Sequence, residues 1–124
     1  MNANPKNKRL LLIVIFSGIN FGIHSLLARQ AVLNNRGISF GWDVNLAVIV
    51  TVWIILLFFL LKNWNLGVAM MIVGGLSNII DRIIFGYVRD YWQIPGINLV
   101  NNVSDWLIGI GVLFFLLSIW MKRK

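Results

Sequence analysis

Acidic residues are scarce in this chain of 124 residues, and their positions indicate where chemistry could occur. There are four of them, Asp43, Asp81, Asp90 and Asp105, and no glutamate is present. Each lies at or near the end of a long apolar segment. A carboxylate at membrane depth costs several kcal/mol unless it is hydrated, paired or neutralised, so such a residue is a candidate for a functional site.

Two of the aspartates have spacings typical of helix capping. Asp43 precedes the second apolar segment and is predicted to be an N-cap or first-turn residue. Asp105 follows Asn102 by three residues, and Asn-x-x-Asp resembles a capping arrangement at the start of the fourth segment. Taken alone, both residues are interpreted as structural.

The other two aspartates have an arginine beside them. Asp81 precedes Arg82 and follows Asn78 by three residues, so these side chains share one helix end. They could form a polar cluster that satisfies itself or part of a functional site, and the two readings are equally supported. Asp90 follows Arg89, and taken alone it reads as a solvated loop residue.

Considered together, Asp90 and Asp105 point to a specific chemistry. Asp90 comes shortly after the third apolar segment and Asp105 starts the fourth, so the connecting loop can place the two carboxylates side by side. Two carboxylates in one site do not both ionise easily. The charged one can then act as a general base on water, while the protonated one polarises a carbonyl or protonates a leaving amine. This is the chemistry of an aspartic peptidase.

The elements that must position these residues are membrane-spanning helices. Hydrophobic residues make up 59% of the chain and charged residues only 12%. Apolar segments at about 10–27, 44–61, 66–85 and 105–121 each approach the ~20 residues that cross a bilayer. We therefore predict an all-α integral membrane protein, a single domain over residues 1–124, with four transmembrane helices in a bundle. Short β-structure is expected in the outer loops.

The basic residues indicate the orientation. Seven of the eleven fall on one side of the four-span arrangement: Lys6, Lys8, Arg9, Lys62, Lys122, Arg123 and Lys124. The positive-inside rule makes that side cytoplasmic, so both termini are predicted to be inside and the aspartates near the outer face. The net charge of +7 then reflects topology and attraction to anionic lipid, not a nucleic-acid partner. The same count favours retention of the first span over its removal as a signal peptide.

Cofactors are not expected. The chain has no cysteine and a single histidine, which excludes disulfides and argues against a zinc site. The chemistry proposed for the aspartates needs neither a metal nor a nucleophilic serine or cysteine.

Three motifs resemble those of the signal peptidase II family. Residues 74–91 read GGLSNIIDRIIFGYVRDY, similar to the pattern G-G-x-x-N-x-x-D-R-x-x-x-G-x-V-x-D-F. Residues 102–108 read NVSDWLI and resemble N-x-A-D-x-x-I. Residues 35–41 read NRGISFG and resemble N-x-G-x-(A/S)-F-(S/G). The three occur in the family's order and cover about a third of the chain.

The resemblance implies a function and a set of site residues. It implies a monomeric peptidase of the bacterial cytoplasmic membrane that cuts prolipoproteins just before a diacylglyceryl-modified cysteine. Asp90 and Asp105 correspond to the catalytic aspartates. The residues implied to order the site or to bind substrate are Asn35, Asn78, Asp81, Arg82 and Asn102.

The chain departs from the family pattern at several positions. Asn20 and His24 have the spacing of the family's Asp-x-x-x-Lys pair in or near span one, without its chemistry. A lone histidine in a span is more often a polar packing residue than a catalyst. Tyr91 stands where the pattern has Phe, and Ser104 where it has Ala. The first outer loop is also short.

Two other functions remain open from the sequence. A membrane protein that binds lipid-modified peptides without cutting them is suggested by the altered span-one pair and the short loop. A proton-coupled transporter or channel subunit would use the outer aspartates as proton sites. The second is weakly supported, because no carboxylate lies at mid-membrane and only Asn20, His24 and Thr51 are polar there.

Overall fold

The computed structural model describes residues 4–29, 33–35, 45–97 and 99–124. Within these ranges the backbone forms four helices and four short strands. The helices are α1 (Pro5–Leu27), α2 (Leu46–Lys62), α3 (Leu66–Phe85) and α4 (Val103–Lys122). The strands are β1 (Leu33–Asn35), β2 (Val88–Asp90), β3 (Trp92–Gln93) and β4 (Val100–Asn101). The helices coincide with the four apolar segments of the sequence.

Each helix begins after an asparagine that caps it. The capping residues are Asn4, Asn45, Asn65 and Asn102. Each side-chain oxygen accepts a hydrogen bond from a backbone N–H of the first turn, which would otherwise lack a partner. The prediction that Asp43 caps α2 or lies in its first turn is wrong, because Asn45 takes the N-cap position two residues further along. Asp43 itself lies outside the described residues.

Three helices, α1, α3 and α4, are long and apolar enough to cross a membrane, and α2 is a shorter apolar helix of 17 residues. The most apolar stretch of α3 is 56% buried, against 11% for α1 and for α4. The central helix is therefore α3, and the others present large apolar side chains to the surroundings. The prediction of a mostly helical membrane protein is confirmed.

Two adjacent glycines allow α3 to pack closely against two neighbours. A methyl group at Gly74 would collide with the backbone of Ser104 and the side chain of Ile108 on α4. A methyl group at Gly75 would collide with the indole of Trp53 on α2. Small residues permit such close helix contacts where apolar burial against lipid gives little driving force.

The strands form two antiparallel pairs, β1 with β2 and β3 with β4. The chain leaves α3 through Gly86, whose positive φ of 79° suits a residue without a side chain. It then enters β2, where Asp90 lies opposite Leu33. The β3–β4 pair returns the chain to the start of α4. The short β-structure expected between the helices is present and brings the end of β2 to the first turn of α4.

Candidate active site

Asp90 ends β2 and is completely buried, with 0% of its surface exposed. Its Oδ1 accepts a hydrogen bond of 2.8 Å from the side-chain amide of Asn102. Antiparallel pairing with β1 holds its backbone. A residue that reads as a solvated loop position in isolation is thus a buried carboxylate with a fixed orientation.

Asp105 lies in the first turn of α4 and takes part in a capping box. The Asn102 side chain accepts hydrogen bonds from the N–H groups of Ser104 and Asp105 at 2.8 and 3.1 Å. Oδ2 of Asp105 accepts the N–H of Asn102 at 3.0 Å. Oδ1 accepts a hydrogen bond of 2.7 Å from the Asn78 amide of α3. Asp105 is therefore a cap, as its spacing predicts, and is also joined to α3.

Two asparagines form a continuous chain of hydrogen bonds between the two carboxylates. The Asn102 amide nitrogen donates to Asp90 and, at 3.1 Å, to the side-chain oxygen of Asn78. Asn78 in turn donates to Asp105. The acceptors on each side determine which way both amides face. Asp90 and Asp105, 15 positions apart in the chain, thus belong to one network.

A cavity of ≈ 210 Å³ opens onto this network. Asp90, Asp105 and Arg82 line it together with Asn78, and the Trp53 side chain of α2 contributes to its wall. The positive charge of Arg82 interacts with both carboxylates. Two carboxylates that face one cavity can divide the roles of general base and general acid between them.

Asp81 points away from this cavity and organises a second cluster. Its Oδ2 lies 2.8 Å from Nε2 of His24 on α1, and its Oδ1 accepts a hydrogen bond of 2.8 Å from the Arg89 guanidinium. The Arg89 backbone N–H donates to Asp81 as well, at 3.0 Å. Of the two readings of Asp81, the geometry favours a polar cluster that satisfies itself. It joins α1 and α3 to β2.

One protein family matches the sequence over nearly the whole chain. The family model described as "Signal peptidase (SPase) II" matches residues 6–121. This chain belongs to the signal peptidase II family. Two of its relatives are named lipoprotein signal peptidase. One, from Streptococcus thermophilus (strain CNRZ 1066), is 38% identical over 104 residues, covering 74% of this chain and 68% of the relative. The other, from Thermodesulfovibrio yellowstonii, is 37% identical over 79 residues, covering 60% of this chain and 53% of the relative.

A solved structure has the same fold. It is described as a bacterial membrane enzyme determined by the in meso method at 2.3 Å resolution. It matches with a TM-score of 0.77, covers 95% of this chain and 90% of its own, and is 18% identical in sequence.

Asn20, which with His24 has the spacing of the family's Asp-x-x-x-Lys pair, binds a residue that departs from the signal peptidase II pattern. Its amide donates a hydrogen bond of 3.0 Å to the hydroxyl of Ser104, which stands where the pattern has Ala. The Ser104 hydroxyl also lies 3.0 Å from the hydroxyl of Ser77 on α3. Both Asn20 and Ser104 are buried. The contact ties α1 to the first turn of α4, next to Asp105.

Tyr91, at the family's Phe position, contacts the helix that carries Asp105. Its hydroxyl accepts the Val103 N–H at 2.9 Å. Burial raises the pKa of the Tyr91 phenol above its ordinary value. The Val103 hydrogen bond opposes this shift, and the nearby carboxylates of Asp105, Asp90 and Asp81 add to it. The phenol therefore remains protonated at neutral pH and keeps a proton to donate.

The sequence did not indicate the contacts of Asn20, His24, Tyr91 and Ser104. One signal was available, because Asn20 and His24 lie four residues apart on an otherwise apolar helix and so share a face. Of the predicted site residues, Asn35 pairs through its backbone with Val88, and its side chain lies outside the described part of the chain. The rest of the first-loop motif, residues 36–41, lies outside it too.

Proposed function

We propose that this chain is an aspartic endopeptidase that removes signal peptides from diacylglyceryl-modified prolipoproteins, cutting just before the lipidated cysteine, with Asp90 and Asp105 as its catalytic pair. Membership of the signal peptidase II family supports the reaction and the substrate class. The hydrogen-bond chain through Asn102 and Asn78 supports the assignment of the pair.

In the proposed mechanism, the ionised carboxylate of the pair takes a proton from water, which attacks the carbonyl of the peptide bond. The protonated carboxylate polarises that carbonyl and later gives its proton to the leaving amine. Asn102 and Asn78 hold the two groups in place throughout. The pair titrates as a unit, so the proton belongs to both residues and not to a named one.

We further propose that all four helices cross the membrane, with both termini in the cytoplasm. The concentration of basic residues in the first turns of α1 and at the C-terminal ends of α2 and α4 supports this orientation. The guanidinium of Arg9 lies 5.3 Å from the ring centroid of Trp64, so the start of α1 and the α2–α3 turn share one end of the bundle. The active site is then near the outer leaflet of the bacterial cytoplasmic membrane.

The proposed catalytic unit is a single domain over residues 1–124 that works as a monomer. Both carboxylates and both bridging asparagines come from one chain, which supports this. We propose that the remaining family positions, Asp81, Arg82 and Asn35, order the site or contact the substrate backbone. Asp81 would act through Arg89 of β2, and Arg82 through its charge.

The deciding experiment is cleavage of a diacylglyceryl-cysteine lipobox peptide by the purified protein in detergent or lipid. Wild type is compared with Asp90→Asn and Asp105→Asn, and thermal unfolding shows that each variant is folded. We expect cleavage by wild type and none by either variant. Normal cleavage by one of the variants would remove that residue from the mechanism. A folded wild type that binds the peptide without cutting it would identify a binding protein.

A further inference from the structure

His24 is a buried polar residue on a helix whose surface is mostly apolar and exposed. Only 1% of its surface is accessible. Its Nε2 lies 2.8 Å from Oδ2 of Asp81, and its Nδ1 lies 3.3 Å from the hydroxyl oxygen of Tyr91. Both ring nitrogens therefore have partners, and these partners come from α3 and from the residue that follows β2. A side chain that served only to fill space would not need a hydrogen-bond partner at each ring nitrogen.

The partners of His24 indicate how its protons are arranged. The Tyr91 oxygen already accepts the Val103 N–H, so its own proton is available for another acceptor, and Nδ1 of His24 is within reach. Nε2 then carries the hydrogen of the imidazole and donates it to Asp81. In this tautomer Tyr91 donates to His24 and His24 donates to Asp81. The carboxylate of Asp81 accepts, and the Arg89 guanidinium, which binds both of its oxygens, balances its charge.

Tyr91 connects this chain of hydrogen bonds to both carboxylates of the proposed catalytic pair. It follows Asp90 directly in the sequence, and its backbone N–H donates to the Asn101 carbonyl at 3.2 Å. Its hydroxyl holds the N–H of Val103, two residues before Asp105. One side chain thus joins the end of β2 to the first turn of α4.

We propose that His24 and Tyr91 are a positioning pair for the catalytic aspartates, with His24 orienting the Tyr91 phenol and the phenol setting the separation of Asp90 from Asp105. This inference rests on the proposed peptidase function. Neither residue is among those that line the cavity faced by Asp90 and Asp105. Their effect comes through placement, since a displacement of about 1 Å can cost on the order of 100-fold in rate.

The two residues also match each other chemically. Tyr91 stands where the signal peptidase II pattern has Phe, and His24 has the spacing from Asn20 that the family's Lys has from its Asp. A phenylalanine would leave Nδ1 of His24 without this buried partner, which carries a free-energy cost. The phenol supplies the donor that the imidazole acceptor requires.

The test measures kcat and KM for lipobox-peptide cleavage by Tyr91→Phe, His24→Leu, His24→Gln and the double variant Tyr91→Phe/His24→Leu. Leucine removes both polar contacts of His24 at similar volume, and glutamine keeps one donor and one acceptor. Tyr87→Phe is the matched control, because it removes the hydroxyl of the chain's other tyrosine. The melting temperature of each variant is recorded beside its rate.

We expect Tyr91→Phe to lower kcat about tenfold, the value of one buried hydrogen bond, with KM within about twofold of wild type. His24→Leu should lower kcat more, and His24→Gln should recover part of the loss. The double variant should lose less than the product of the two single losses, because the phenol acts in part through its contact with His24. Tyr87→Phe should cleave as wild type does.

Several outcomes overturn the inference. A wild-type kcat for Tyr91→Phe does so even if His24→Leu fails to fold. Losses that multiply in the double variant do so as well, because they make the two residues independent. A lowered melting temperature with unchanged kcat would reduce the pair to a structural contact. Absence of cleavage by folded wild type would instead overturn the proposed function, and this inference with it.

Discussion

Asn102 is the residue on which the paired arrangement of the two carboxylates depends most directly. Its amide nitrogen donates to Asp90 at 2.8 Å and to Asn78 at 3.1 Å, and its amide oxygen caps α4. Asn102→Asp separates these two roles. Aspartate caps a helix about as well as asparagine, so the start of α4 is retained, but both donors are lost.

The cost of this substitution follows from the two hydrogen bonds. A bond to a charged group contributes about 1.5–3 kcal/mol and a neutral one about 0.5–1.5 kcal/mol. Their loss, with a further negative charge beside Asp90, displaces the carboxylate from its position. We expect about 2–4 kcal/mol less transition-state stabilisation, a fall in kcat/KM of roughly 30- to 1000-fold.

The assay is lipobox-peptide cleavage, with thermal unfolding measured on the same preparations. Asn45→Asp is the matched control, because it makes the same substitution at the N-cap of α2, where the side chain accepts the Ala47 N–H at 2.8 Å. The control should keep wild-type cleavage. If Asn102→Asp also cleaves within about threefold of wild type, the amide does not hold the catalytic pair and the reasoning from this network fails.

Three further sets of substitutions test the contacts around the site by thermal unfolding. Gly74→Ala should destabilise the protein by about 1–3 kcal/mol, because the backbone of α4 lies where the methyl group would go. The control Gly18→Ala, which places the methyl group in open space on α1, should be neutral or slightly stabilising. Asn20→Ala and Ser104→Ala should each destabilise it, and the double variant should cost less than their sum. Asp105→Asn should cost about 1 kcal/mol, because the single amide oxygen of asparagine cannot accept both the capping-box N–H of Asn102 and the Asn78 amide.

Each of these has a contrary result that is easy to recognise. Equal stability of Gly74→Ala and Gly18→Ala would mean that the close approach of α3 and α4 is not required. Additive losses for Asn20 and Ser104 would mean that their contact contributes nothing of its own. An Asp105→Asn variant as stable as wild type would show that the capping box is unimportant in the folded protein.

The polar clusters also explain how charged residues are accommodated in so apolar a chain. Asp81 and Arg89 neutralise each other, and His24 adds a hydrogen bond to the same carboxylate. A buried charge without partners would cost several kcal/mol, and such a pair avoids that cost. The two aspartates that we propose as the catalytic pair, Asp90 and Asp105, instead face a cavity that Arg82 also lines.

The sequence by itself determined the class of protein and the reaction. Composition and the four apolar segments predicted a helical membrane protein, and the bounds of α3 were predicted to the residue. The motif over residues 74–91 indicated the family that the full-length match confirms. These features are local, because hydropathy, capping and motif spacing depend on neighbouring residues in the chain.

Only the tertiary structure decided which polar side chains meet. The contact of Asn20 with Ser104 joins residues 84 positions apart, and that of His24 with Tyr91 joins residues 67 apart. The cap of α2 is Asn45 and not Asp43, although both are good capping residues. The spacing of residues along the sequence determines which face of a helix each residue occupies. The rotation and approach of each helix against its neighbours, set here by Gly74 and Gly75, determine what that face contacts.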